Sequence, residues 1–176
     1  RGRAASLVGT LTSGQQEDGG WRADGRRDQD PVQSARCLWA LAEARRAGID
    51  ISDKTLELGV KFATNAHRRA SQQSRETKAL LQHALAAAGK ADFAALNRLY
   101  RERARLSPAA LAYTSLALSA HGSQPMAAEV CDLIAAQMVT SDGNRASWSV
   151  DGNSPDNLNK LEQTALAVLA LKAAQP

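Results

Sequence analysis

Residues able to do nucleophilic, acid–base or metal chemistry are few in this 176-residue chain: Cys37 and Cys131, and His67, His83 and His121. Neither cysteine belongs to a Cys-x-x-Cys pair or stands at a zinc-like Cys–His spacing. The adjacent pair Cys131-Asp132 falls on a predicted helix, where successive side chains point about 100° apart, so Cys131 reads as a packing residue. A disulfide between Cys37 and Cys131 stays open at this level, and with it the redox compartment. His83 falls on an Ala/Leu-rich helix and reads as a buried, hydrogen-bonded residue or as a group facing the centre of the fold. His67 and His121 fall near helix C-termini, where a partly charged imidazole is favourable. The segment from Asp24 to Asp30, with Arg26, Arg27 and Asp28, lacks the alternating oxygen ligands of a calcium loop and reads as solvated. No nucleophile stands with a base at a diagnostic spacing. We therefore assign no catalytic residue, no metal ligand and no cofactor.

The elements that would position these residues are helical throughout. The hydrophobic fraction is 44%, skewed to Ala and Leu, with aromatics at only 4%; such small helix formers favour closely packed helices. The length suits one domain with a sizeable core, and residues 1–176 are read as one. No long uncharged apolar run predicts a membrane-spanning helix. The chain opens on Arg1-Gly2-Arg3 rather than on a signal-like segment, so it reads as a piece of a larger multidomain protein. The net charge of +4 comes from 22 basic and 18 acidic side chains that are interspersed. Clusters lie at Arg22 to Arg27, His67 to Arg69 and Arg98 to Arg105, and only the last contains an aromatic, Tyr100; a nucleic-acid partner is not expected.

Apolar positions recurring every three or four residues, divided by Gly, Pro and Ser-Pro, predict about eight helices and no strand. They run from Ala4 to Ser13, Pro31 to Ala47, after a Ser52 cap to His67, Glu76 to Ala88, Phe93 to Arg103, Pro108 to a stop at Gly122, after Pro125 to Met138, and Leu158 to Ala174. Pro31 and Pro108 suit first helical positions, and Gly48, Gly89 and Gly122 suit stops. Two long turns, from Gln15 to Asp30 and from Thr140 to Asn157, interrupt otherwise short connections, which make successive helices antiparallel.

Self-similarity carries more than periodicity. The stretch Gln33-Ser34-Ala35-Arg36-Cys37-Leu38-Trp39-Ala40-Leu41 aligns with Gln163-Thr164-Ala165-Leu166-Ala167-Val168-Leu169-Ala170-Leu171, and each follows a turn carrying a Trp, Trp21 or Trp148. The helices Thr77 to Ala88 and Ala109 to Ala120 share the same Ala/Leu density, giving a helix-pair repeat of roughly 40 residues. A helix apolar nearly all round must be covered on several sides, whereas an amphipathic one covers it from outside. The fold class expected is all-α: a partial α/α toroid of about four antiparallel hairpins, with inner Ala/Leu-rich and outer amphipathic helices.

Two sets of residues resemble known families. Gln15-Gln16-Glu17-Asp18-Gly19-Gly20-Trp21, followed by Leu38-Trp39-Ala40-Leu41, resembles the turn and inner helix of the α/α-toroid superfamily of terpene cyclases, prenyltransferase β-subunits and the thioester domain of α2-macroglobulins. The segments Ala87-Ala88-Gly89-Lys90-Ala91-Asp92, Leu96-Asn97-Arg98-Leu99-Tyr100-Arg101-Glu102-Arg103 and Leu106-Ser107-Pro108-Ala109-Ala110-Leu111-Ala112 resemble bacterial α2-macroglobulin-like proteins in particular. That resemblance implies a non-enzymatic domain of a protease inhibitor or trap. It implies as partners the other domains of the parent protein and a target protease, and a periplasmic or extracellular location. It also implies a Cys-Gly-Glu-Gln thioester motif, from which this chain departs: Cys37 precedes Leu38-Trp39-Ala40 and Cys131 precedes Asp132-Leu133-Ile134. The motif lies upstream or the parent lacks it.

Two alternatives are a fragment of a terpene-cyclase or prenyltransferase-like toroid and an α/α-repeat protein-binding module. The first is disfavoured by the lack of an Asp-x-Asp-Asp run, of a zinc triad, and of aromatics to line a carbocation cavity. Gln15, Gly19, Trp21 and Trp148 are the candidate residues at the toroid end, either plugging it or forming a contact surface.

Overall fold

The computed structural model describes residues 2–23, 28–69, 74–141, 145–148 and 160–174. The expected loop residues Arg26 and Arg27, most of the turn before Asn157 and the expected helix start at Leu158 lie outside these. The described helices are α1 (Gly2–Ser13), α2 (Pro31–Arg46), α3 (Asp53–Arg68), α4 (Arg75–Ala87), α5 (Phe93–Arg101), α6 (Pro108–His121), α7 (Gln124–Ala136) and α8 (Lys160–Ala173). A 3-10 turn at Arg103–Arg105 follows α5.

Local chemistry sets most of the boundaries. Ahead of Pro31, the Asp30 carboxylate accepts from the Val32 and Gln33 amides at 2.8 and 3.0 Å. Ser74, Asp92 and Ser107 cap α4, α5 and α6 in the same way. Ser52 occupies the cap position of α3, but its side chain makes no cap bond, contrary to the sequence expectation. Gly48, Gly89 and Gly122 all take positive φ just past helix ends, as the stop signals require. The fifth and seventh helices end earlier than expected, at Arg101 and Ala136.

The helices form two layers. The inner layer runs α2 against α4, α4 against α6 and α6 against α8. Each outer helix then bridges two inner ones: α3 lies on α2 and α4, α5 on α4 and α6, and α7 on α6 and α8, with α1 on α2. Ala35, Ala79, Ala84, Ala110, Ala117 and Ala167 are fully enclosed. Small side chains at these positions let the inner helices approach closely, while Leu38, Leu80, Leu81, Leu96, Leu111 and Leu118 fill the space between layers. The principal packing among described residues does not return from α8 to α2, so the inner helices form an arc.

One element departs from the all-helical expectation. Val139–Ser141 (β1) and Arg145–Ser147 (β2) pair antiparallel, with Val139 opposite Ser147 and Ser141 opposite Arg145. Strands of three residues are too short for an alternation pattern to be read from sequence. The hairpin ends directly before Trp148 and so delivers it to its place.

Candidate functional site

The first Trp turn is built from both flanking helices and from α3. Trp21 is buried; its indole N–H donates to the Leu11 carbonyl of α1 at 2.7 Å, and its amide donates to Ser34 Oγ of α2 at 2.8 Å. Ser34 Oγ in turn donates to the Trp21 carbonyl. The ring lies over Gly59 of α3, where a Cβ would come within 3.4 Å of it. Gln15 Nε2 donates to the Gly19 carbonyl at 3.2 Å and to the Thr55 carbonyl of α3 at 3.0 Å. Gly19 has φ +89°, and a Cβ there would overlap the Leu58 backbone. Both its conformation and its surroundings therefore call for glycine.

The second turn repeats the central part of this geometry. Trp148 is buried, its indole N–H donates to the Ile134 carbonyl of α7 at 2.6 Å, and its amide reaches Thr164 Oγ1 of α8 at 3.4 Å. Ser34 and Thr164 are the residues that the internal alignment pairs. Gln15, Gly19 and Trp21 thus meet in one turn, and Trp148 sits in its counterpart at the other end of the arc. The rings and indole N–H groups are directed into the fold and tie each turn to the helix before it.

On the concave side, the ends of α2, α4, α6 and α8 enclose a cleft of about 800 Å³. Trp39 and Leu116 line it, with the exposed Leu169 at one wall. Its rim carries Glu43, Arg46 and Lys172. Arg46 Nη1 bridges both Glu43 oxygens at 2.9 and 3.0 Å, and Nη2 donates to the Ala87 carbonyl of α4. His83 lies beneath, between the Trp39 ring at 4.5 Å and the Tyr113 ring at 5.8 Å between centroids. It is 4% exposed, and neither ring nitrogen has a hydrogen-bond partner among the described residues. The expectation of a hydrogen-bonded His83 is therefore corrected, and the residue faces the centre of the arc. Burial, with Arg46 adding to it, lowers its pKa to about 4, so the ring is neutral near pH 7. This trio was invisible in the sequence, because its members come from three different helices; only their shared inner-helix setting hinted at it.

Other candidates are inert or structural. Cys37 and Cys131 are free and buried. Burial raises the Cys37 thiol to about 11 and moves Cys131 upward too, so neither is a ready nucleophile. Cys131 packs against Ser115 of α6 at 3.1 Å. His67 is half-buried, and desolvation lowers its pKa against the opposing pull of Asp92, with Lys78 and Arg98 acting in the same direction as burial; the expected gain from a C-terminal charge does not prevail. His121 stacks on Phe93 at 5.2 Å. Tyr100 donates to Glu129 of α7 and is covered by the Arg103 guanidinium at 4.1 Å from the ring centroid, so the aromatic of the basic cluster is engaged within the fold. Among the described residues no group of three His, Cys, Asp or Glu side chains is placed to hold a metal, and no helix is long and apolar enough to cross a membrane.

An arc of inner helices, each pair bridged by an outer helix, defines an α/α-toroid-type architecture. The same fold occurs in the crystal structure of native α2-macroglobulin from Escherichia coli spanning domain MG7 to the C-terminus, with a TM-score of 0.65 and 20% identity. The match covers 99% of this chain and 32% of that one, so the chain spans about a third of the length of the structure it resembles. No known family profile matches the sequence, and no curated protein is similar to it.

Proposed function

We propose that this chain is a non-enzymatic helical module of a bacterial α2-macroglobulin-like protease trap. The observation that carries the reading is the likeness in fold, over nearly the whole chain, to the C-terminal part of the Escherichia coli protein. The site chemistry agrees with it. The polar atoms at both Trp turns are engaged in holding helices together, the thiols are buried and protonated, and neither cysteine begins a Cys-Gly-Glu-Gln sequence. In this reading the module performs no covalent step. It is a rigid body that cleavage elsewhere in the parent releases, so that it swings and encloses the attacking protease. Its partners are then the neighbouring domains and that protease, and its place is the periplasm or the cell exterior.

The test is the parent protein's response to cleavage. Native gels before and after limited proteolysis should show a mobility shift as the cleaved parent changes shape. Complete cleavage with unchanged mobility would defeat the reading.

A further inference from the structure

We propose that the basic surface where α3, α4 and α5 meet, on the outer side of the arc, docks an acidic protein segment. Two basic clusters far apart in the sequence converge there. Arg68 closes α3, while Arg98, Arg101 and Arg105 run along α5 and the 3-10 turn after it. Both outer helices pack on α4, whose first turn carries Arg75 and Lys78. The Arg75 guanidinium meets Glu102 at 3.1 Å and so joins the start of α4 to the end of α5. His67, next to Arg68, registers the other cations: desolvation lowers its pKa first, Asp92 opposes this, and Lys78 and Arg98 lower it further.

The charge is concentrated here. Residues 68, 75–78 and 98–105 hold seven Arg or Lys and two Glu, an excess of five in a chain whose total is only +4. Glu102 answers Arg75, and Glu129 answers Arg103. Arg68, Lys78, Arg98, Arg101 and Arg105 make no ion pair among the described residues, and all but Lys78 are exposed. Helix dipoles favour cations in the last turns of α3 and α5 but disfavour them in the first turn of α4, so they do not account for the cluster. Crowded like charges repel, and an anionic partner relieves that repulsion.

The side chains present select among anions. Single-stranded nucleic acid is held by aromatic stacking as well as by phosphate contacts, but the aromatic of this surface, Tyr100, is engaged with Glu129 and Arg103. Anchoring at a membrane surface asks for apolar side chains beside the cations, and no large apolar side chain is exposed in these segments. Carboxylates need only the guanidinium forks and the ammonium group. This inference does not rest on the trapping reading: a parent that fails to trap would leave the titration below unaffected.

The probe is fluorescein-labelled octa-glutamate amide, titrated into the chain and followed by anisotropy, with octa-lysine amide and an eight-residue oligothymidylate carrying the same label. Octa-glutamate should bind saturably and octa-lysine should not, and raising NaCl from about 50 to about 250 mM should weaken the former about tenfold. Unlabelled octa-glutamate should raise the titration midpoint of the His67 ring resonances and leave that of His121 in place. Arg98→Glu with Arg101→Glu, both on exposed side chains, should weaken binding about tenfold, whereas Lys54→Glu with Lys172→Glu, exposed elsewhere, should change it less than about twofold. If the first pair does not fold, Arg98→Gln with Arg101→Gln takes its place, with about a threefold loss expected. No saturation, an unmoved His67, equal losses in the two double variants, or tighter binding of the oligothymidylate or of phosphatidylglycerol vesicles would overturn the proposal.

Discussion

Trp21 and Trp148 make the same two hydrogen bonds at the two ends of the arc, and among the described residues only Trp21 is also clamped by a third helix. In both, the indole N–H reaches the carbonyl third from the end of the preceding outer helix, and the amide reaches a hydroxyl early in the following inner helix. Beside Trp21, α3 adds the Thr55 carbonyl for Gln15, the Leu58 backbone against Gly19 and the Gly59 hollow under the ring. Among the described residues no helix stands in that position beside Trp148. The shared bonds belong to the repeat itself, and the clamp belongs to a Trp turn that has a following outer helix. The middle inner helices, α4 and α6, begin instead at the Ser74 and Ser107 caps.

The comparison can be broken most directly by truncation. Trp21→Ala should cost about 4 kcal/mol and Trp148→Ala about 3 kcal/mol, read from urea midpoints. Equal losses would mean that the α3 clamp contributes nothing. Gly19→Ala should cost about 3 kcal/mol, since both φ and the Leu58 backbone oppose a methyl group. Gly48→Ala is the control: φ is +81° but nothing lies within 4 Å of the new Cβ, so about 1 kcal/mol is expected. At the two paired hydroxyls, Ser34→Ala should cost about 1.5 kcal/mol and Thr164→Ala about 0.5 kcal/mol, the latter bond being longer at 3.4 Å.

Acid should separate the middle of the arc from its ends. His83 has a folded pKa of about 4 against an ordinary 6.5, so between these values the unfolded chain binds the extra proton. Its contribution is fully present above pH 6.5 and is lost as pH falls towards 4. Arg46 of α2 opposes protonation, and Glu43 and Lys172 share the same cleft. His67 is shifted in the same direction and adds to the trend. The loss of melting temperature from pH 6.5 to 4.5 should be smaller in His83→Phe than in the native chain. An unchanged slope would show that the ring does not remain neutral in the folded state.

Much of this was legible in the sequence because it is local. Helix periodicity, the glycine stops and the Gln15, Gly19 and Trp21 spacing need only neighbouring residues, and the alignment of Ser34 with Thr164 identified two hydroxyls that both accept from a Trp amide. What was not legible depends on tertiary neighbours. Ser52 has the right type for a cap, yet its hydroxyl is not used there. Pro31 drew attention from Asp30, whose carboxylate makes the cap bonds. His67 stands at a helix end, yet desolvation by burial lowers its pKa. The His83 site required knowing that Trp39, His83 and Tyr113 occupy facing positions on successive inner helices.

The central claim, a passive module of a protease trap, is tested most directly by incubating the intact parent with a protease and assaying the protease on two substrates. The account predicts that cleavage of a small chromogenic peptide persists while digestion of a large protein substrate is blocked. Full activity on both substrates after the parent has been cleaved would contradict it.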